Sequence, residues 1–173
     1  SHDRPVDILH DGFDCVIRTG ALPEDGVIAR SLGKLAMVNC ASPHYLTRFG
    51  YPQSPDDLTS HAIVRYTPHL GVHPLGFEVA SVNGVQWFKS GGMLTVNSSE
   101  NYLAAGIAGL GIIQIPRIAV REALRAGRLI EVLPGYRAEP LSLSLVYPQR
   151  RELSRRVNLF MQWLAGVMKE HLD

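Results

Sequence analysis

Residues 93–116, MLTVNSSENYLAAGIAGLGIIQIP, restrict the fold more than any other stretch, because they read as a strand, a helix and a strand with punctuation at each joint. Met93 to Val96 is a short β-prone run. Asn97 then offers a side-chain oxygen to the free N–H groups of the next turn, and Glu100, three residues on, can reach back. That spacing resembles a capping box with Asn in the Ser or Thr place. Tyr102 to Leu110 is apolar on nearly every side, as a helix pressed onto a sheet must be, and Gly109 and Gly111 supply the positions that stop it. Ile112, Ile113 and Ile115 form a β-branched run closed by Pro116, which has no N–H to give a ladder. Two strands joined by a helix imply a parallel pair with a right-handed crossover, and so an α/β fold.

In open α/β sheets ligands sit beyond the carboxyl ends of the strands. Here those ends are polar, with Asn97, Ser98 and Ser99 after one strand and Gln114 near the end of the other. The Asn-Ser-Ser run also opens a helix, whose unpaired N–H groups and positive dipole end suit a carboxylate or phosphate. The plainer reading is a packed βαβ unit with no site attached.

Composition excludes several classes of function. A chain of 173 residues, 46% hydrophobic, can bury one sizeable core or two small ones, and is not a disordered tail. Seventeen Lys and Arg against sixteen Asp and Glu leave a formal charge of +1, so no nucleic-acid surface is advertised. Cys15 and Cys40 lie inside apolar runs, where a lone cysteine behaves as a small hydrophobe. The start of the chain shows no basic region followed by an apolar stretch, and no run approaches the length of a membrane span. A reduced, cytoplasmic setting is the expectation.

The remaining elements follow in order. Val6 to His10 reads as a helical turn, and Phe13 to Ile17 as a strand ending at Arg18-Thr19-Gly20, where Arg18 is either a solvated tip or a fork for an anion. Val27 to Leu32 and Leu35 to Cys40 are extended runs. Ser42 and Pro43 are a helix-start signal that Gly50 ends, and Ser54-Pro55 repeats it. His61 to Thr67 is a strand, and residues 68–75 are a loop carrying His69 and His73. Asn83-Gly84 is the strongest hairpin signal in the chain. Ile118 to Ala126 reads as a helix, Leu129 to Leu133 as a strand, and Pro134 to Pro140 as a hinge. In Leu141 to Tyr147 the residues Leu141, Leu143 and Leu145 alternate onto one face. A last helix, from about Ser154 to Leu172, carries an apolar stripe of Val157, Phe160, Met161, Leu164, Val167 and Met168.

Signatures of catalysis are missing. Gly106-x-x-Gly109-x-Gly111 lies at a helix end rather than just after a strand, so it lacks the context of a dinucleotide fingerprint. There is no Walker loop and no G-x-S-x-G elbow. His69 and His73 lack the helical frame of a metal motif, and Asn97-Ser98-Ser99 fits a glycosylation acceptor by pattern alone. Arg150, Arg151, Arg155 and Arg156 read as a solvated face. No catalytic residue, metal ligand or cofactor is expected.

Read together, these residues resemble the effector-binding domain of LysR-type transcriptional regulators, along nearly the whole chain. The likeness is carried by Asp3-Arg4-Pro5-Val6-Asp7, Gly12-Phe13-Asp14, Val16-Ile17-Arg18-Thr19-Gly20 and Val27-Ile28-Ala29-Arg30-Ser31-Leu32-Gly33. It continues through Cys40-Ala41-Ser42-Pro43-x-Tyr45-Leu46, the Val96-to-Pro116 unit, Gly127-Arg128-Leu129 and Tyr147-Pro148-x-x-Arg151-x-Leu153-Ser154-x-Arg156-Val157.

The resemblance implies a two-lobed fold like periplasmic binding proteins, with mixed, mostly parallel sheets. Residues 1–38 and 139–173 would build lobe I, and residues 39–138 lobe II. A small anionic effector would lie between the lobes, facing Arg18 and Thr19 on one side and Ser42, Asn97, Ser98, Ser99, Gln114 and Pro116 on the other. Binding would favour one of two states in a homodimer or homotetramer and so alter DNA binding. Such regulators also carry an amino-terminal winged helix-turn-helix, and their first lobe opens with a strand, helix and strand. Neither precedes Ser1, so the first lobe is expected to be incomplete. The rival readings are a solute-binding protein of a transporter, and an α/β enzyme using Ser98 or Ser99 as nucleophile.

Overall fold

The computed structural model describes residues 12–20, 26–67, 76–149, 153–168 and 172. The expected turn at residues 6–10 and the loop of His69 and His73 lie outside that range. In chain order the strands are β1 (Val16–Thr19), β2 (Val27–Leu35), β3 (Met37–Ala41), β4 (Ala62–Tyr66), β5 (Phe77–Ser81), β6 (Gly84–Phe88), β7 (Gly91–Val96), β8 (Ile113–Pro116), β9 (Ile130–Glu131) and β10 (Leu141–Pro148). The helices are α1 (Pro43–Phe49), α2 (Ser99–Ile107), α3 (Arg117–Arg125) and α4 (Arg155–Met168), with a 3-10 turn at Pro55–Ser60. The chain forms two compact units. One runs without interruption over Met37–Glu139, and the other takes its described residues from both flanks, up to Ala36 and from Pro140 onward.

In the first unit β4 pairs with β7 in parallel, and its other edge meets Ile112, just ahead of β8, through a parallel bridge at Ile63. On the far side of β8, β3 runs antiparallel, and β9 antiparallel to β3. The order is therefore β7-β4-β8-β3-β9, with only β3 reversed. The two strands joined by α2 are co-directional, as the sequence suggests, but β4 lies between them. Among the described residues five of the six strand pairings are antiparallel, so the sheets are mixed but not mostly parallel.

Both faces of this sheet are covered. Val38, Cys40, Val64, Ile113 and Ile115 pack with Tyr102 and Ala105 of α2 and Val120 and Ala123 of α3. On the opposite face Ala41, Ile63 and Ile112 pack with Tyr45 and Leu46 of α1, Leu58, and Phe77 and Val79 of β5. Gly106 lets α2 sit close to β8, since a Cβ there would stand 2.6 Å from Ile113 Cδ1. The β5–β6 hairpin turns at Val82 and Asn83, and Gly84 rather than Asn83 takes the positive φ.

The second unit is a three-stranded antiparallel sheet with β10 between β1 and β2. A β-bulge between Leu143 and Ser144 interrupts the expected alternation. Leu145 packs against Met161 and Leu164 of α4, with Val157 and Met168 at the margin. The expected stripe is broader than the face that is buried: Phe160 is 48% exposed and Val167 41%.

Candidate functional site

Strand direction sorts the polar residues of the first unit. The carboxyl ends of β7, β4 and β8 lie along one edge of the sheet. That edge carries Asn97, Ser98 and Ser99 after β7, Thr67 after β4, and Gln114 to Pro116 in β8. Because β3 is reversed, Ser42 at its end lies on the opposite edge. There it is 2% exposed and caps α1, accepting from Tyr45 N–H at 3.2 Å. A Cβ on Gly109, past the far end of α2, would come within 3.0 Å of Ser42 Oγ. Topology thus brings Asn97, Ser98, Ser99, Gln114 and Pro116 together and separates Ser42 from them.

Within the polar edge the roles divide. Ser98, not Asn97, is the N-cap of α2: it is fully buried, and its hydroxyl accepts from Asn101 N–H. Asn97 is half-buried and Ser99 exposed at the first turn of the helix. Pro116 ends β8 opposite Met37 and leads straight into α3. Arg18 and Thr19 belong to the second unit, where β1 ends opposite Ser144 and Leu143 of β10.

Gln114 is held by three elements. Its Nε2 donates to Asn39 Oδ1 at 2.9 Å and to Glu78 O at 2.8 Å, while its Oε1 accepts from Glu78 N–H at 3.3 Å. One amide side chain therefore binds both main-chain groups of Glu78, as a neighbouring strand would. Asn39, fully buried, donates onward to Leu133 O at 3.2 Å and Tyr136 O at 2.9 Å. Those bonds hold a turn in which Leu133 takes a φ of 49°, a left-handed conformation that costs on the order of 1–3 kcal/mol outside glycine. The Gln114 main chain is satisfied from the other face, where Tyr102 Oη accepts from Gln114 N–H at 2.8 Å and donates to Gln114 O at 3.2 Å. Burial pushes the Tyr102 phenol well above its usual pKa, so it stays a donor.

Sequence reasoning missed Asn39 and Tyr102. Asn39 carried a signal, a lone amide within an otherwise apolar strand; Tyr102 carried none, since it fits the apolar face of α2 that it occupies. The same applies to a cavity of about 360 Å3 bounded by Tyr51–Gln53 and by Glu131–Tyr136. Its Glu131 carboxylate is taken by Arg117 and Arg137, each at 2.6 Å. Cys40, fully buried, has its thiol pushed up to about 12 by burial, with the Glu131 charge adding to the effect, so it remains an unreactive core group. No cluster of metal-ligating side chains occurs among the described residues. No described helix is long and apolar enough to cross a membrane.

The sequence matches the LysR substrate binding domain family over residues 1–169. This chain belongs to that family. The LysR-family domain is 97% identical over its 173 residues to an uncharacterized HTH-type transcriptional regulator, YhjC, of Escherichia coli K12, and spans 58% of that protein. It is 34% identical over 173 residues to the HTH-type transcriptional repressor PA14_22550 of Pseudomonas aeruginosa, spanning 54% of it. The LysR-family domain thus covers little more than half the length of these relatives. Among solved structures it resembles the regulatory domain of CrgA, a LysR-type regulator from Neisseria meningitidis, with a TM-score of 0.80 at 24% identity, covering 94% of this chain and 78% of that one. That likeness establishes the periplasmic-binding-protein-like fold of LysR regulatory domains.

Proposed function

We propose that this LysR-family domain is the sensing part of a cytoplasmic transcription factor, in which a small anionic effector bound at the polar edge of the first unit alters how a separate helix-turn-helix module engages DNA. The observation that carries the reading is the gathering of Asn97, Ser99 and the end of β8 beyond three co-directional strands, beside the amino-terminal end of α2. Backbone N–H groups there, with the helix dipole, favour a carboxylate. Arg18 and Thr19 are proposed as further ligand contacts from β1. Ser98 supports the site by ordering the first turn of α2, and Gln114 by holding β5 in place. Ser42 is not included. The regulator acts as a homodimer or homotetramer, so that an altered ratio of two states in each copy reaches paired DNA-binding modules.

The test is a calorimetric screen of small carboxylates against the wild-type chain and against Asn97→Ala, Ser99→Ala and Arg18→Gln. Each contact residue should raise the Kd about fivefold or more, the equivalent of roughly 1 kcal/mol per hydrogen bond. Ser42→Ala should leave it unchanged. A ligand whose affinity is indifferent to all three substitutions would refute the placement. The regulatory part is tested on the longer protein: a ligand that binds the domain must change operator affinity in a gel-shift titration, with the reciprocal change in ligand affinity when DNA is added.

A further inference from the structure

Among the described residues of the first unit's sheet, the one half-buried arginine has no counter-charge. Arg65, the penultimate residue of β4, donates from Nη2 to Ser90 O at 3.0 Å. No carboxylate among the described residues pairs with it. Its Nε–H is buried with no acceptor, and the Ser90 hydroxyl, which can donate or accept, is also buried without a partner. The unpaired N–H therefore belongs to a cation with no carboxylate partner, in a fold where buried polar groups are nearly always paired.

The group is also held in a fixed pose. Gly92 on β7 lies directly against it: a Cβ there would stand 2.6 Å from Arg65 Cζ, 2.8 Å from Nε and 3.0 Å from Nη1. The glycine lets the planar head rest on the strand, and the bond to Ser90 O fixes its rotation. Among the described residues Nη1 has no partner, and unlike Nε it is not fully buried. A planar, oriented, uncompensated cation with an open edge is the receptor chemistry for an oxygen anion.

We propose that Arg65, seated on Gly92 and tethered to Ser90, is an oxyanion-binding site that takes a carboxylate or phosphate group on its outer edge. This site does not depend on the effector reading above, since it uses neither Asn97 nor Ser99.

The experiment titrates the 173-residue chain with benzoate, succinate and inorganic phosphate at fixed ionic strength. It follows the Arg65 Nε–Hε resonance by NMR and the affinity by calorimetry. At least one probe should saturate the site and move that resonance; a carboxylate-only or phosphate-only response identifies the group. Arg65→Met should weaken that binding tenfold or more, and Arg65→Lys, which keeps the charge but loses the fork, should weaken it less. Asn97→Ala should not change it. If Arg65→Met fails to fold, Gly92→Ala serves instead, because it keeps the charge and displaces the head from its seat; it must also weaken binding about tenfold. No saturable response in the wild type, equal binding by the variants, or a loss confined to Asn97→Ala would overturn the proposal.

Discussion

Replacing Tyr102 with Phe removes one oxygen atom and leaves the ring where it is, 6% exposed between α2 and the sheet. That oxygen completes β8. Past Ile112 the strand has no β-ladder partner among the described residues on its β4 side, and the phenol supplies both halves of one, accepting from Gln114 N–H at 2.8 Å and donating to Gln114 O at 3.2 Å. Tyr102→Phe therefore orphans a donor and an acceptor together. An unsatisfied buried group costs about 1–3 kcal/mol. Gln114 is only half-buried, so the expected total loss is at the low end, about 2 kcal/mol for the pair. The assay is urea unfolding of the first unit, followed by a probe within it, combined with native-state hydrogen exchange. The unfolding midpoint should fall, and the Gln114 amide should exchange faster than those of Ile113 and Ile115. A loss below about 0.5 kcal/mol with Gln114 protection unchanged would show that the phenol is not acting as a strand partner.

Three further outcomes follow from particular contacts. Phe160→Ala should cost less than about 1 kcal/mol and Leu164→Ala about 2–4 kcal/mol, because Leu164 is in the core of the second unit and Phe160 is outside it; equal losses in thermal unfolding would refute that packing. Gly111→Ala should destabilise by about 2 kcal/mol or more, since its Cβ would meet Ala62 O at 2.6 Å and a strand carbonyl cannot swing away as a side chain can; a neutral result by urea titration would mean that the Ile112 bridge tolerates displacement. Burial holds the His61 imidazole below its usual pKa of 6.5, with the Asp57 charge opposing. As pH falls past 6.5 the unfolded chain takes up the proton first, so stability declines until the folded imidazole also titrates. His61→Gln should flatten this slope in urea midpoints between pH 7 and 5, and an unchanged slope would place the titrating group elsewhere.

Local signals in the sequence were legible because neighbours in the chain settle them. Ser42 with Pro43 opens α1, Gly50 closes it, and α2 begins and ends within a few residues of the expected positions. In Asn97-Ser98-Ser99, three side chains in a row can cap, and only the backbone path decides that Ser98 does so. Partnership over long sequence separation was not legible. Nothing in the βαβ stretch states that β4 will lie between its strands, or that β3 will run against them, and the second fact moves Ser42 to the other edge. Gln114 shows the same limit from the energetic side: a polar residue at a strand end looks available for a ligand until Glu78, 36 residues earlier, is seen to occupy its amide. Phe160 failed for a geometric reason. A three-stranded sheet covers a narrow strip of helix, whereas spacings of three and four residues describe a wider one.

The position of β10 sets an order of assembly. It is the middle strand of its sheet yet the last of the described strands in sequence, so β1 and β2 wait for their shared partner while everything from Met37 to Glu139 is synthesised. The first unit is contiguous and can close while translation continues; the described sheet of the second is completed only when the residues from Pro140 to Met168 emerge, roughly 1.5–6 s later at cellular elongation rates. During that interval the two strand edges that β10 will pair stand open. The nascent chain is then most exposed to chaperones and to mispairing, and codon choice over residues 140–168 should affect the yield of folded protein more than codon choice in the 37–139 segment.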